Sequence, residues 1–165
     1  MTKRLVNPAS LYDGSPLGLS HGTIDEESSL LFISGQVAWD IQQLVSDNTV
    51  AGQFGLALAN LKTVLAEADS SVDDLLHMRI YIRGELEDHM EALAPILSGF
   101  LGTARTAITG IGVSSLASKR TLVEVEAVAR LRRPVAHDME PHQGRTVQRA
   151  GVQASSNSNK EKIDA

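Results

Sequence analysis

The segment 49–68 places the strongest constraint on the fold, because its apolar residues recur at the spacing of an α-helix. Asp47 or Asn48 is available to cap its N-terminus. A helix with one apolar stripe has to bury that stripe against another element. The stripe comprises Val50, Phe54, Leu58, Leu61, Val64, Leu65 and Ala68.

Strand-like patterns lie on both sides of this helix. The run 30–34 is short, apolar and closed by Gly35, which favours a buried strand. Beyond turn-forming residues at 70–74, Met78, Ile80 and Ile82 alternate with polar neighbours at the two-residue period of a strand. The first half of the chain therefore predicts strands, then a helix, then another strand.

The second half predicts one more helix and two more strands. A helix is expected over about 87–101, where Pro95 kinks it or marks its restart, and strands are expected over 108–113 and 122–131. This order of elements predicts an α+β fold in which two helices cover one face of a mixed sheet. The other face of the sheet, with Arg79, Tyr81 and Arg83, is then free to meet a partner subunit.

The length and composition indicate one domain and a short appendage. With 165 residues there is room for a single core. The segment 134–165 has no aromatic residue and no sustained periodicity, so we expect a domain over 1–133 and a disordered tail over 134–165.

The charge and the residue types exclude several classes of protein. A net charge of −5 without a basic stripe disfavours nucleic-acid binding, and the absence of cysteine excludes disulfides and thiolate chemistry. The chain has no signal-peptide pattern and no long apolar run. We therefore predict a soluble, cytoplasmic protein that does not bind membranes.

Two short motifs are weak signals for chemistry. Gly18-Leu19-Ser20-His21-Gly22 matches the pattern of a hydrolase nucleophile elbow but lacks the strand and helix that the elbow requires, so a turn leading into a strand is favoured. His21 still has a chance of lining a pocket, because it lies beside glycine. A second cluster, formed by His137, Asp138, Glu140 and His142, lies in the expected tail, so no metal site is predicted.

The most chemical feature of the chain is the alternation Val123-Glu124-Val125-Glu126. It places both carboxylates on one face of a strand and both valines on the other. One interpretation is a solvated strand face with two acids that repel each other. The other is that an interface buries one acid and raises its pKa, which makes it a general acid or base.

Several stretches taken together resemble the Rid (YjgF, L-PSP) family, in the order expected for it. They are 31–36, 59–68, 73–75 with 80–82, 111–113 with Leu116, and 122–129. The resemblance implies a chorismate-mutase-like fold, a homotrimer and small-molecule pockets between subunits. It also implies hydrolysis of reactive enamines or imines without a metal or cofactor.

The resemblance also implies roles for individual residues. The family's catalytic glutamate falls on Glu124 and its serine on Ser34, with His21 shaping the pocket. Ile108 occupies the position of the arginine that clamps the substrate carboxylate, and Arg105 lies three residues earlier, where a loop between 106 and 110 would let it replace the clamp.

A further departure concerns the family's tyrosine, whose approximate place is taken by Leu19. These differences leave three functions open. The first is a divergent enamine or imine hydrolase, and the second is a non-catalytic trimer that binds or senses a small metabolite. The third, an endoribonuclease or translation inhibitor, is disfavoured by the acidic charge.

Overall fold

A computed structural model describes residues 2–132 as one six-stranded sheet with two helices. The predicted tail, 134–165, and the histidine and acid cluster within it lie outside the described residues. The elements are β1 Lys3–Val6, β2 Gly22–Asp25, β3 Leu30–Val37, α1 Val50–Glu67, β4 Leu75–Arg83, α2 Met90–Leu101, β5 Ala107–Val113 and β6 Val123–Arg130.

The sheet is mixed, with the strand order β1-β2-β3-β6-β4-β5. Only the β4 and β5 neighbours run parallel, and the other four pairs are antiparallel. The last strand, β6, lies between β3 and β4, so most of its residues have a neighbour on both sides. The two-residue period of β6 therefore sets one apolar face and one polar face near the middle of the sheet.

Both helices contribute to the core on the apolar face of the sheet. Phe54, Leu61 and Leu65 of α1 are fully buried against strand residues such as Met78 and Val125. Within α2, Leu93 is the one buried residue. This arrangement matches the predicted α+β fold with two helices on one face of a mixed sheet.

Two local details differ from the sequence analysis. The N-cap of α1 is Thr49, whose hydroxyl accepts the Gly52 N–H at 3.0 Å, rather than Asp47 or Asn48. The Asp47 carboxylate instead accepts hydrogen bonds from the backbone and hydroxyl of Thr49, both at 2.7 Å. The second helix continues through Pro95, and the irregular turn comes earlier, at Glu87–His89.

Candidate functional site

Glu124 lies on the face of the sheet that the helices leave open. Its neighbours across the sheet are Val37 in β3 and Tyr81 in β4. The ladder between β3 and β6 shifts register between Ile33 and Gln36, and Gly35 lies within that irregularity. A Cβ atom at position 35 would be only 1.8 Å from Glu124 Oε1, so the missing side chain of Gly35 makes room for the carboxyl group.

The two acids of β6 have different surroundings. Glu126 Oε1 accepts a hydrogen bond from Arg79 Nη1 at 2.5 Å, which makes an ion pair. Glu124 has no hydrogen-bond or ion-pair partner among residues 2–132. Burial raises the pKa of the Glu124 carboxyl, and the negative charge of Glu126 raises that pKa further. Glu126 is thus a paired carboxylate, whereas Glu124 is an unpaired acid whose pKa is raised.

Tyr12 is a site residue that the sequence analysis missed. Its side chain is buried, and its ring makes edge contacts with His21 at 4.7 Å and with Trp39 at 5.4 Å between ring centroids. Burial raises the pKa of the Tyr12 phenol, and the charge of Glu124 raises that pKa further. The phenol therefore lies within the electrostatic field of Glu124. Residue 12 lies far from Glu124 in sequence, so no local pattern indicates this proximity.

The His21 side chain packs against Tyr12 in the interior of the subunit rather than facing a pocket. The imidazole is 1% exposed, and its Nε2 lies 2.8 Å from the backbone oxygen of Tyr12. Because a carbonyl only accepts, Nε2 is the protonated nitrogen in this pair. Nδ1 is buried and has no hydrogen-bond partner in the described structure. The predicted pocket histidine is thus a packing residue in this subunit.

Ser34 lies on the open face, in a depression of about 490 Å³ that Arg79 and Glu126 also line. Its hydroxyl donates to the backbone oxygens of Ser20, at 2.9 Å, and His21, at 3.1 Å. The hydroxyl proton is therefore shared between two carbonyls, while the oxygen keeps lone pairs that can accept a hydrogen bond.

Ile108 and Leu19, two further predicted pocket residues, pack against other parts of the subunit. Ile108 pairs with Met78 and faces the helices, on the opposite side of the sheet from Glu124. Leu19 is half-buried and packs over Gly14, where an added Cβ would come within 2.2 Å of its Cδ1 atom. The prediction that Ile108 lines the same pocket as Glu124 is thus not met in a single subunit, because the side chains of adjacent strand residues alternate between faces.

Arg105 precedes β5 and is exposed. Its Nη1 donates to the backbone oxygens of Thr103 and Ala104, at 3.0 and 2.9 Å. Glu124 lies two strands away and several residues further along the ladder. Strand spacings put the two side chains roughly 20 Å apart in one subunit. They can serve one site only if they come from different copies of the chain.

Comparisons with known proteins indicate one family for this chain. A family model described as Endoribonuclease L-PSP matches residues 18–131, which is more than half of the chain. The chain therefore belongs to the Rid family. The same family is called YjgF/YER057c/UK114 for a solved protein of Mycobacterium tuberculosis that is 22% identical to this chain. The resemblance found in the sequence is confirmed.

Individual Rid relatives are similar in fold but distant in sequence. A RutC family protein of Pyrococcus abyssi is 27% identical over 103 residues, which cover 61% of this chain and 78% of the relative. The structure of YyfB from Yersinia pestis, a Rid protein of unknown function, is 33% identical with a TM-score of 0.59. The structure of YEO7 of yeast is 22% identical with a TM-score of 0.71. The matches to YyfB and to YEO7 each cover 79% of this chain and 100% of the other chain.

The described residues also limit two other kinds of site. No helix within residues 2–132 is long and apolar enough to cross a membrane. The same part of the chain has no group of three or more histidine, aspartate or glutamate side chains arranged to hold a metal ion.

Proposed function

We propose that this Rid protein hydrolyses a small enamine or imine, with Glu124 moving the proton of the attacking water. The observation that carries this proposal is the contrast between the two acids on β6. Glu126 is paired with Arg79, whereas Glu124 is unpaired, has a raised pKa and lies beside the buried phenol of Tyr12. A general acid or base works best when its pKa is moved towards the working pH.

The reaction needs one group that takes up a proton and later returns it. Water adds to the carbon of the C=N bond while the Glu124 carboxylate accepts a proton from that water. Glu124 passes that proton to the nitrogen, which gives a neutral amino alcohol. Glu124 then accepts the proton of the new hydroxyl group and transfers it to the nitrogen as the C–N bond breaks, so ammonia leaves and a carbonyl forms. An enamine first takes a proton at its carbon and loses one from its nitrogen, which gives the imine. Such a positioned acid-base group contributes about 10²–10⁴-fold in rate.

The proposed site is completed by a second copy of the chain, in a homotrimer. Arg105 and Glu124 are too far apart in one subunit to hold one small substrate. The open face also has Phe32, which is 48% exposed, beside the depression with Ser34. A second subunit that covered this face would bury the Phe32 ring, and burial of apolar surface is favourable. Arg105 of one copy would then bind a substrate carboxylate next to Glu124 of another.

Mixed trimers test this arrangement directly. Glu124→Gln and Arg105→Ala chains are each inactive under the proposal, so they are unfolded together, refolded and assayed. If each site uses Glu124 and Arg105 from different subunits, about a quarter of the sites in a random mixture regain both residues. If both residues act within one subunit, the mixture stays inactive, and the proposed interface site is wrong. Light scattering of the wild type should give the mass of three chains.

The activity itself is tested with a lyase that uses pyridoxal phosphate to generate 2-aminoacrylate. Ammonia and pyruvate release is followed with and without this protein, and with Glu124→Gln. We expect faster release with the wild type and none of that acceleration with the variant. Acceleration that survives in Glu124→Gln would refute the role of Glu124. Full activity of Arg105→Ala would show that Arg105 is not the carboxylate clamp.

A second candidate function is binding or sensing of a small metabolite without turnover. The observation that favours it is the guanidinium of Arg105, which donates to the backbone oxygens of Thr103 and Ala104 and is thereby turned towards its own loop. Saturable binding of an imino acid analogue without ammonia release would support this candidate. An endoribonuclease activity is disfavoured, because the net charge of −5 repels a phosphate backbone.

The domain boundary belongs to the same proposal. We propose that residues 1–133 form the Rid domain and that 134–165 take no part in the site. A chain that ends at residue 133 should keep the trimer and the activity of the full chain. Loss of either would assign the tail a role.

A further inference from the structure

A second cavity lies on the other face of the sheet, beneath α2. Its volume is about 320 Å³. Its floor is made by the buried side chains of Phe54 and Ile80, and Ile108 of β5 forms one wall. The sheet therefore separates this cavity from Glu124, and the two sites do not share a lining side chain.

The cavity exists because α2 is held to the sheet at few points. Leu93 is its one fully buried residue. Ala94 faces the space with only a methyl group, and Gly110 adds no side chain from β5. A Cβ atom at position 110 would lie 2.7 Å from Leu86 Cδ2, so Leu86 occupies part of the space that a strand side chain would fill. Small residues on both walls thus leave a gap that the core does not close.

The lining of the cavity is almost wholly hydrocarbon. Ser98 supplies the one polar side chain among the lining residues of the described chain. Its hydroxyl already donates to the backbone oxygen of Pro95 at 3.1 Å. Ordered water needs two to four polar partners, and an apolar cavity without them stays dry and binds small apolar molecules.

Exposed acids lie next to two lining residues along the chain, and we call them the acidic rim of the cavity. Leu86 and Met90 line the cavity, and Met90 is half-exposed at its edge. Four acids that lie close to Leu86 and Met90 in the sequence are exposed to solvent. They are Glu85, Glu87, Asp88 and Glu91. Because like charges repel, the rim disfavours an anionic ligand such as a fatty carboxylate.

We propose that this cavity binds an uncharged apolar molecule, or the apolar end of a larger uncharged one. A cavity of about 150 Å³ lined by aliphatic and aromatic residues binds benzene, so this larger one suits roughly twelve non-hydrogen atoms. The site is independent of the proposed hydrolysis, since it lies on the opposite face of the sheet.

Two fluorescent probes with the same aromatic skeleton test the shape and the charge separately. N-phenyl-1-naphthylamine is uncharged and larger than the cavity, so one of its ring systems would enter as the apolar end of a larger molecule; 8-anilino-1-naphthalenesulfonate adds a sulfonate to the same skeleton. Each is titrated into the full-length protein. We expect saturable binding of the uncharged probe, and binding of the sulfonate weaker by about tenfold or more because of the acidic rim. Equal affinity for both probes would refute the charge selection.

Two matched variants locate the binding site. Ala94→Phe places a ring in the cavity, whereas Ala92→Phe adds the same ring to an exposed position of α2 that does not line it. We expect Ala94→Phe to weaken binding of the uncharged probe by about tenfold or more and Ala92→Phe to leave it unchanged. Ser98→Leu is a second filling variant, and it serves if Ala94→Phe does not fold.

Three outcomes would overturn the proposal. Probe binding that is unchanged in both filling variants would place the probe elsewhere. No binding of the uncharged probe to the wild type would show that the cavity closes in solution. A change in the light-scattering mass in Ala94→Phe, but not in Ala92→Phe, would show that a second copy of the chain fills the cavity instead of a ligand.

Discussion

Replacing Gly35 by alanine should disable the proposed site while leaving the fold intact. The new Cβ would lie 1.8 Å from Oε1 of Glu124 and 2.6 Å from its Cδ atom. Ordinary contacts need about 3.5 Å, so the carboxyl group has to move by roughly 1.5 Å or more. The clashing atoms are the far end of a flexible side chain, so Glu124 can move while the strand stays in place.

The cost to stability should be small. A forced change of the Glu124 rotamer costs about 0.5–1.5 kcal/mol. The φ angle of Gly35 is not positive, so alanine fits its backbone, and the less flexible unfolded chain gives back about 0.4–1 kcal/mol. The free energy of unfolding should therefore change by about 1 kcal/mol or less, which corresponds to a few degrees in Tm, roughly 2–8 °C. Gly99→Ala, where an added Cβ meets nothing within 4 Å, is the matched control.

The effect on function should be large by comparison. Misplacing a catalytic group by about 1 Å can lower the rate by about 10²-fold. Gly35→Ala should therefore release ammonia from 2-aminoacrylate about 10²-fold more slowly than the wild type. Carboxyl NMR gives a readout that needs no substrate, because moving Glu124 towards solvent should lower its raised pKa. The reasoning is refuted if Gly35→Ala keeps both the activity and the Glu124 pKa of the wild type, or if it unfolds the protein.

Three further substitutions test the electrostatics of the site. The raised pKa of Glu124 makes the folded state lose stability as the pH rises through the titration of this carboxyl group. Glu124→Gln removes that loss, so it should raise the Tm more at neutral pH than in acid. An equal Tm difference at all pH values would contradict this. Tyr12→Phe should keep its contacts with His21 and Trp39, so a Tm shift of about 8 °C or less should accompany slower turnover. Arg79→Ala breaks a half-exposed ion pair worth about 1 kcal/mol or less, and the unbalanced charge of Glu126 should shift the acidic limb of the pH–rate profile upwards.

The fold could be predicted from the sequence where periodicity was long enough to be unambiguous. The stripe over 49–68 and the alternation in Val123–Arg130 identified α1 and β6. The short strands Lys3–Val6 and Gly22–Asp25 have only four residues each, too few for a two-residue period to stand out. The cap of α1 was misplaced by one or two residues, because Asp47, Asn48 and Thr49 are all acceptable N-cap residues and only the tertiary structure decides among them.

The site was predictable only in part, for a related reason. The strand alternation placed Glu124 and Glu126 on one face, but it could not say which acid would be paired. That difference depends on Arg79, which comes from β4, and on the irregular stretch of β3 at Gly35. Tyr12 comes from a loop before β2. Contacts between residues so distant in sequence leave no local pattern.

The geometry divides the proposed function between the subunit and the assembly. Under the proposal the acid is prepared within one chain, because Gly35 makes room for Glu124 and Glu126 raises its pKa from the same subunit. Under the same proposal, recognition of a substrate carboxylate needs a second chain, because Arg105 lies about 20 Å from Glu124 in one subunit. A change that moves Glu124 should therefore act in every subunit that carries it, whereas the effect of a change at Arg105 should depend on the neighbouring subunit. Measuring this difference distinguishes two hypotheses. In one, Glu124 and Arg105 form a shared site at the interface; in the other, they are two unrelated residues that only resemble those of the family.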